Sequence, residues 1–305
     1  MPAISIVTAT YNRSNVLRHA IASVLRQSFT DWELLVVSDG CTDDTAAVVA
    51  SFGDPRLRFV HLARNHGEQS APNNEGARLA TGTWLAYLNH DDLWFSDHLQ
   101  TLHAAIKDGQ ADLVYALSAQ PNPNGSTRLW GYSPGGSYAP WHGVPASVWL
   151  MRRTLLERVG PWTSARQLWN SPSQDWLRRA HAAGARLQPV SKLTVVQISS
   201  GNRRGSYSNR DEHEHLVASR ALEQEQAYRE ALLTAIAQDA SPLRTALQPL
   251  VHVRRGLSAL FWRACVAAGI PPASAVHVLR YGRRGGFIRH LRRTRGLTPT
   301  IGHPS

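Results

Sequence analysis

Short apolar runs alternate with longer amphipathic stretches through the first 200 residues. Ala3 to Thr10 (AISIVTAT), Glu33 to Ser38 (ELLVVS), Leu57 to Leu62 and Trp84 to Leu88 read as buried strands, because β-rich runs bounded by turn residues suit a sheet covered on both faces. Between them, Val16, Leu17, Ala20, Ile21, Val24 and Leu25 fall on one helical face behind Ser14, a helix-capping residue. Thr42-Asp43-Asp44-Thr45 opens a second helix with acids where the helix dipole favours them, and Pro72 introduces a third. A helix from Phe95 to about Lys107, strands at Asp112–Leu117, Ser147–Met151 and Leu187–Ile198, and helices at Arg153–Val159 and from Ser173 to Gly184 continue the alternation. This order predicts an α/β fold with a doubly wound, mostly parallel sheet. Residues 120–146 break the pattern with five prolines and five glycines, interleaved with Trp130, Tyr132, Tyr138 and Trp141, and read as a long functional loop. From residue 211 the pattern is helical, with a Pro271-Pro272 break before a final Arg-rich helix. The expected division is a body of 1–210 and a helical, Arg-rich extension of 211–305.

Charge changes the picture only at the end. The chain of 305 residues carries +11, and from Val251 onward it has ten arginines, no lysine and no acid, which leaves +1 for the first 250 residues. A tail of this charge fits a solvated helix face or nucleic acid, but no motif that reads bases accompanies it and the body reads as an enzyme-like α/β domain, so no nucleic acid is expected. Leu257, Leu260, Phe261, Trp262 and Val266, and then Phe287, Ile288 and Leu291, stand among those arginines, a pattern that suits helices lying on an anionic membrane surface. On that reading the tail acts apart from any site in the body, and its loss leaves that site working. No run reaches the ~18 apolar residues of a membrane span, and the N-terminus shows no leader pattern, so the expected location is cytoplasmic, peripheral on the inner face of the membrane. Cys41 and Cys265 lie far apart and match no metal spacing, so neither disulfide nor zinc is expected.

The candidate chemistry centres on Thr83 to Trp94 (TWLAYLNHDDLW), where an apolar strand stops at Asn89-His90-Asp91-Asp92. Carboxylates at the carboxyl end of such a strand lie where open α/β sheets bind ligands. Magnesium and manganese prefer such oxygens and leave positions free for substrate phosphates. The plain alternative is an Asx turn or helix cap. Asp39-Gly40 after the second strand is likewise a nucleotide contact or a turn. Asp175 before Trp176 is a catalytic carboxylate or a cap. His90 reads as a spacer in its turn rather than a metal ligand, and His213 and His215 flank Glu214 on what reads as a solvated helix face.

Five stretches, in this order, resemble the family 2 glycosyltransferases of GT-A fold: SIVTATYNR (5–13), QSFTDWELLVVSDGCTDDT (27–45), NNEGARLATGTWLAYLNHDDLW (73–94), WLMRRTLLERVGPW (149–162) and SQDWLRRAHAAG (173–184). The resemblance covers roughly residues 3–200 and implies a GT-A type, Rossmann-like sheet with a C-terminal helical extension, its nucleotide-binding half at 1–117 and its acceptor-binding half at 118–210. It further implies an inverting transfer from a nucleotide-sugar, UDP-linked by expectation, to a glycan or lipid-linked acceptor in bacterial surface polysaccharide synthesis. Thr8, Thr10, Tyr11, Asn12, Arg13, Asp39, Asn73, Asn89 and His90 would surround the nucleotide. Asp91 would hold Mn2+ or Mg2+, Asp92 would shape the donor-sugar site, and Asp175 would be the general base. Trp130, Tyr132, Trp141 and Trp176 are the acceptor candidates.

The chain departs from the family pattern at several points. Ser38, Asn73, Asn89 and Gln174 replace an acid, an arginine, the first Asp of the metal motif and a glutamate, respectively. No histidine falls between His181 and His213 to serve as the family's late metal ligand, and Gln197 or Asn202 are the substitutes in that stretch. The rival readings are a nucleotide-sugar-binding scaffold with a decayed metal site, and a sugar-phosphate nucleotidyltransferase, which would need a glycine- and arginine-rich phosphate loop where this chain has TATYNR.

Overall fold

Ile4–Thr10 forms β1 and is followed by α1 (Ser14–Leu25), β2 (Trp32–Ser38), α2 (Thr45–Ser51), β3 (Leu57–His61), α3 (Ser70–Leu79) and β4 (Trp84–Tyr87). The structure is a computed structural model and describes residues 1–240 and 249–298, with the side chains of 249–255 left aside. β1 pairs in parallel with both β2 and β4, and β2 with β3, so the strand order 3-2-1-4 places β1 at the centre. Every residue of β2 and β4 is buried, which is why their sequences are almost uninterrupted apolar runs.

The chain continues with β5 (Asp92–Trp94), α4 (His98–Asp108), β6 (Leu113–Pro121), β7 (Thr127–Trp130), β8 (Trp149–Arg152), α5 (Leu155–Val159), α6 (Pro172–Ala182) and β9 (Leu187–Gln197). These strands join the same nine-stranded sheet in the order β4-β8-β6-β9-β5, with β7 on the side of β6. Here only β6 and β9 run parallel, and every antiparallel pairing in the sheet involves β5, β7 or β8. The expected parallel pattern therefore describes the first half, and the second half is mixed.

Two elements differ from the sequence reading. Asp92, Leu93 and Trp94 are not part of a loop but a short strand antiparallel to β9. The proline-rich stretch contains β7, which returns as a hairpin against β6. Gly131 ends that hairpin with φ +78°, and a Cβ there would lie 2.3 Å from the Ala116 carbonyl oxygen, so glycine is required.

After β9 come α7 (His213–Ala221), α8 (Glu225–Ala240), α9 (Pro249–Ala267), α10 (Pro272–Tyr281) and α11 (Gly286–Thr294). Leu222 and Leu232 bury themselves with Leu93, Phe95, Val196 and Ile198, so the first helices of the extension complete a second core under β5 and β9. Among the described residues no single helix is long and apolar enough to cross a membrane; the later part of α9 and α10 form a pair bent by 106°. Leu257, Leu260 and Leu279 on this pair are exposed.

Candidate functional site

The carboxyl ends of β1, β2 and β4 open onto one cavity, and the reason lies in the sheet. Parallel strands end together, and β1 and β4 flank one another, so the polar residues after each apolar run meet. Its lining includes Thr10 and Tyr11 after β1, Asp39 after β2, Asn89 to Asp92 after β4, and Gln197 at the end of β9. The segment Gly67 to Gln69, Ser199, Ser200 and Tyr207 supply other walls. Arg292, Arg295 and Leu297, from the last helix and the turn after it, close the remaining side. The empty space measures about 780 Å³, open solvent included.

Of the residues expected around a nucleotide, Thr10, Tyr11, Asp39, Asn89 and His90 face this cavity. Thr8, Asn12, Arg13 and Asn73 lie outside its lining. Thr8 and Asn73 are buried. Asn12, at φ +47°, accepts through Oδ1 from the amides of Thr42 (2.7 Å) and Asp43 (3.3 Å), and so pins the turn after β1 to the turn after β2. The buried Arg13 donates to the Ser206 carbonyl at 2.6 Å and lies 5.1 Å from the centre of the Tyr207 ring.

Asp39 is tied to the segment below it. Its Oδ1 accepts from the His66 amide at 2.9 Å and pairs with the His66 ring at 2.8 Å, and its Oδ2 accepts from the Gly67 amide at 3.0 Å. The turn that makes this close approach needs Gly40, at φ +67°, where a Cβ would lie 2.7 Å from the backbone of Arg64 and Asn65.

Asp91 and Asp92 are neighbours with opposite environments. Asp91 accepts from the Ser200 amide at 2.9 Å. Burial works against its charge, but His90, that amide, Arg295 and Arg13 together hold its pKa well below the carboxylate range. Asp92 accepts from Ser147 Oγ at 2.5 Å and Asn89 Nδ2 at 2.9 Å. Burial and then the charge of Asp91 push Asp92 up to about 7, against those hydrogen bonds. Asn89, which replaces the first acid of the metal motif, thus serves as a donor that orients Asp92.

A divalent cation would meet a sparse donor set here. Oδ2 of Asp92 accepts from both Ser147 and Asn89, and among the described residues no three His, Cys, Asp or Glu side chains gather as ligands. Asp91, whose pKa is held well below the ordinary carboxylate range, faces the cavity together with Asp39, which is already bonded to His66 and Gly67. The residues fit a magnesium- or manganese-type ion held by one carboxylate and completed by substrate phosphates and water. Gln197 lines the cavity and accepts from Ser118 Oγ at 3.1 Å, whereas Asn202 lies outside the lining and donates to Asn122 Oδ1 at 3.1 Å.

Three expectations need correction. His215 is not on a solvated face: α7 packs on α1, and His215 is buried with Nε2 3.2 Å from the Asp91 carbonyl oxygen. Burial draws its pKa down to about 4, so it sits neutral behind the Asp91 turn. Trp176 cannot touch an acceptor, because it is fully buried, its ring lies tilted with its centroid 5.9 Å from that of Trp149, and it donates to the Gly160 carbonyl at 2.9 Å. The extension does not stand apart from the body, since Arg292 and Arg295 line the cavity; Arg254 and Arg255 fall outside the residues whose side chains are described.

The other acceptor candidates divide. Trp130 is half-buried and donates to Gln120 Oε1 at 2.8 Å, whereas Tyr132 and Trp141 are 60% and 39% exposed. Asp175 lies on α6 outside the cavity lining and pairs with Arg179 at 3.0 Å and Arg178 at 3.7 Å. The adjacent Gln174 donates to the Val144 carbonyl at 2.7 Å, which ties α6 to the aromatic loop. Sequence reasoning missed Tyr207, Ser200, Arg292 and Arg295. Their only signal was composition, a basic loop at 201–210 and a tail of arginines without acids.

Residues 5–164, more than half of the chain, match the family model described as glycosyl transferase family 2. The Escherichia coli UDP-Glc:alpha-D-GlcNAc-diphosphoundecaprenol beta-1,3-glucosyltransferase WfgD is 33% identical over 112 residues, 37% of this chain and 44% of that protein. The succinoglycan biosynthesis protein ExoO of Rhizobium meliloti is 38% identical over 102 residues, 33% of this chain and 29% of its own. The chain thus spans less than half the length of these relatives. The crystal structure of S. aureus TarS 1–349 in complex with UDP-GlcNAc superposes with a TM-score of 0.56 at 17% identity, over 96% of this chain and 90% of that one. The mannosyltransferase PcManGT from Pyrobaculum calidifontis, in complex with GDP-Man and Mn2+, gives 0.55 at 17% identity, over 95% and 87%. At such identities these likenesses speak for the fold, which is of GT-A type.

Proposed function

The chain belongs to glycosyl transferase family 2, and from that premise we propose that it transfers a sugar with inversion from a UDP-sugar to a hydroxyl of a glycan or lipid-linked acceptor, in the building of a bacterial surface polysaccharide. The observation that carries this reading is the convergence of Asp39, the Asp91–Asp92 pair and two arginines on one cavity at the carboxyl ends of β1, β2 and β4. A ribose diol donates to an acceptor such as Asp39, and an anionic diphosphate faces arginine. Asp91 would hold the divalent ion, which when bound supplies positive charge to the diphosphate. Asp92, anchored by Ser147 and Asn89, is positioned for the donor-sugar hydroxyls.

Asp175 takes the proton of the acceptor hydroxyl as that hydroxyl's oxygen attacks the anomeric carbon. The bond from this carbon to the diphosphate breaks in the same step, releasing UDP in a single displacement that inverts the carbon. For that role the carboxylate shares its ion pair with Arg179 or gives it up when the acceptor enters. The exposed Tyr132 and Trp141 offer ring faces to an acceptor sugar. The body of 1–210 and the extension of 211–305 serve one site, with nucleotide held by 1–117 and acceptor by 118–210. The bent α9–α10 pair, with Leu257, Leu260, Leu279 and Arg280, lies on an anionic membrane at its cytoplasmic face.

One observation favours the scaffold reading as the second choice: Asp175 is ion-paired and outside the cavity lining. The test is calorimetric titration with UDP and GDP, with manganese and with chelator, followed by release of nucleoside diphosphate from the matching donor. Binding of UDP with slow donor hydrolysis is expected. Binding without any hydrolysis would move the scaffold ahead, and no binding of either nucleotide would defeat the donor-site reading.

A further inference from the structure

The feature that the family resemblance does not account for is the end of the chain. α11 is bound into the site by backbone hydrogen bonds on several sides. Gly285 donates to the Leu168 carbonyl at 2.8 Å, Gly205 donates to Thr294 at 2.7 Å, and Tyr207 donates to Arg295 at 3.0 Å. The last two stitch the end of α11 and the turn after it to the loop that carries Tyr207. Tyr207 in turn reaches His90 at 3.4 Å, one residue from Asp91. Arg292 is buried, with Nη1 donating to the Gly67 carbonyl at 2.9 Å and Nε to Thr298 at 2.8 Å. Its position is thereby fixed beside the segment that holds Asp39.

Arg295 is different. Its Nε is shielded from solvent without a hydrogen-bond partner, and its guanidinium lies 5.8 Å from the centre of the Tyr207 ring. Arg13 flanks the same ring from within the body, and its Nε is likewise unpartnered. None of Arg13, Arg292 and Arg295 makes an ion pair within 4.0 Å among the described residues, although Asp91, Asp39 and Glu68 face the same space. Asp91 acts on Arg13 and Arg295 only from beyond ion-pair distance. Arg13 and Arg292 are buried and Arg295 half-buried. Taking guanidinium groups from water without a contacting carboxylate is costly, a cost that an arriving anion would offset.

We propose that α11 and the turn after it supply the pyrophosphate-binding part of the donor site: Arg295 bonds the diphosphate oxygens directly, Arg292 positions that turn, and Arg13 adds charge from beneath. The proposal rests on the nucleotide-sugar reading of the cavity and deepens it. Planar guanidinium groups pair with phosphate oxygens through two parallel N–H donors, which suits a diphosphate better than a lone ammonium would. The cluster shares the charge-neutralising work with the cation at Asp91, in a chain whose metal motif has lost its first acid. It also makes the donor site incomplete without residues 286–297.

The test is calorimetry on the full chain with UDP, GDP and their parent nucleosides, with manganese and with chelator. Wild type, Arg295→Ala, Arg295→Lys and Arg293→Ala are compared, the last being an exposed arginine two residues away. Arg295→Ala is expected to weaken diphosphate binding by about 10- to 100-fold, the scale of one charged hydrogen-bonded contact, and to leave nucleoside binding unchanged. Arg295→Lys should recover part of the loss, and Arg293→Ala should behave as wild type. Equal affinity of wild type and Arg295→Ala for the diphosphate would overturn the proposal while leaving the donor site standing. Equal loss of nucleoside and diphosphate would also overturn it, by showing a structural role. Should Arg295→Ala fail to fold, Arg295→Gln carries the same comparison. Wild type that binds no nucleotide would overturn both the donor-site reading and this proposal.

Discussion

His98 gives the fold a built-in acid sensitivity whose size follows from its surroundings. The ring is fully buried, stacked with its centroid 4.3 Å from that of Trp94, and Nδ1 lies 2.8 Å from Thr194 Oγ1. Burial draws its pKa from 6.5 down to about 3, against a weaker opposing pull from Asp97. A base with a depressed folded value binds its proton in the unfolded chain first. Its contribution to stability is therefore complete above pH 6.5 and is lost as pH falls from 6.5 towards about 3. At about pH 5 the loss from this one group is about 2 kcal/mol, with a ceiling of about 5 kcal/mol in stronger acid. His215 titrates in an overlapping window, since it is drawn down to about 4, so wild type alone does not separate the two. His98→Asn does, because its side-chain carbonyl can accept from the Thr194 hydroxyl but takes up no proton. Urea unfolding at about pH 7.5 and about pH 5 should show wild type losing about 2 kcal/mol more than His98→Asn across that interval. Parallel losses in the two proteins would refute the reasoning, whatever the absolute stability of the variant. The consequence reaches the site, because Thr194 lies on β9 against β5, the strand that begins at Asp92.

Asp175→Asn should keep UDP affinity within error and lower transfer by at least about a hundredfold; unchanged turnover would remove the base from Asp175. Gly40→Ala should cost about 1–3 kcal/mol in urea unfolding and weaken nucleotide binding, since the new Cβ would displace the Arg64–Asn65 backbone at 2.7 Å; a variant as stable as wild type would contradict the strained turn. Trp176→Ala should lose about 3–5 kcal/mol, whereas Tyr132→Ala should change stability by no more than about 0.5 kcal/mol and raise the acceptor KM. The reverse pattern would place Trp176 at the acceptor after all. Replacing exposed Leu257, Leu260 and Leu279 by serine should abolish flotation with phosphatidylglycerol vesicles while nucleotide binding is retained, and undiminished flotation would refute membrane docking by the α9–α10 pair.

The first half of the fold was legible because it obeys one simple rule. Strands of a parallel sheet covered on both faces must be apolar throughout, so β1, β2 and β4 announce themselves, and the polar residues that end them mark the cavity. β5 escaped notice because three residues are too few for a period, and an acid opens it. Trp176 was misplaced although Leu177 and Ala180 beside it describe a buried helical stripe, a signal outweighed by its neighbour Asp175. His215 carried little local signal: it stands between Glu214 and the exposed Leu216, and only the docking of α7 against α1 buries it. Arg292 and Arg295 are the extreme case, with partners at Gly67 and Tyr207 that lie too far away in sequence for any local pattern to show.

The basic tail shows why composition assigns charge but not purpose. The same absence of acids that suits a membrane surface also suits any other anion, and the structure divides the arginines between exposed and inward-facing positions. Arg280, Arg283, Arg284 and Arg293 lie at the surface, where solvent screens them. Arg292 and Arg295 are turned inward, and burial depresses the Arg292 pKa against the opposing influence of Tyr11 and Tyr207. A desolvated cation held by backbone carbonyls and ring faces raises the free energy of the empty site. An arriving diphosphate offsets that cost, so part of the donor's affinity comes from relieving it. Ligand-linked stabilisation grows as RT ln(1 + [L]/Kd), and a nucleoside diphosphate should therefore raise the unfolding midpoint where the nucleoside alone barely does. On this argument the last helix is held most firmly when a nucleoside diphosphate is present, and the extension belongs to the cavity as much as to any surface on which it sits.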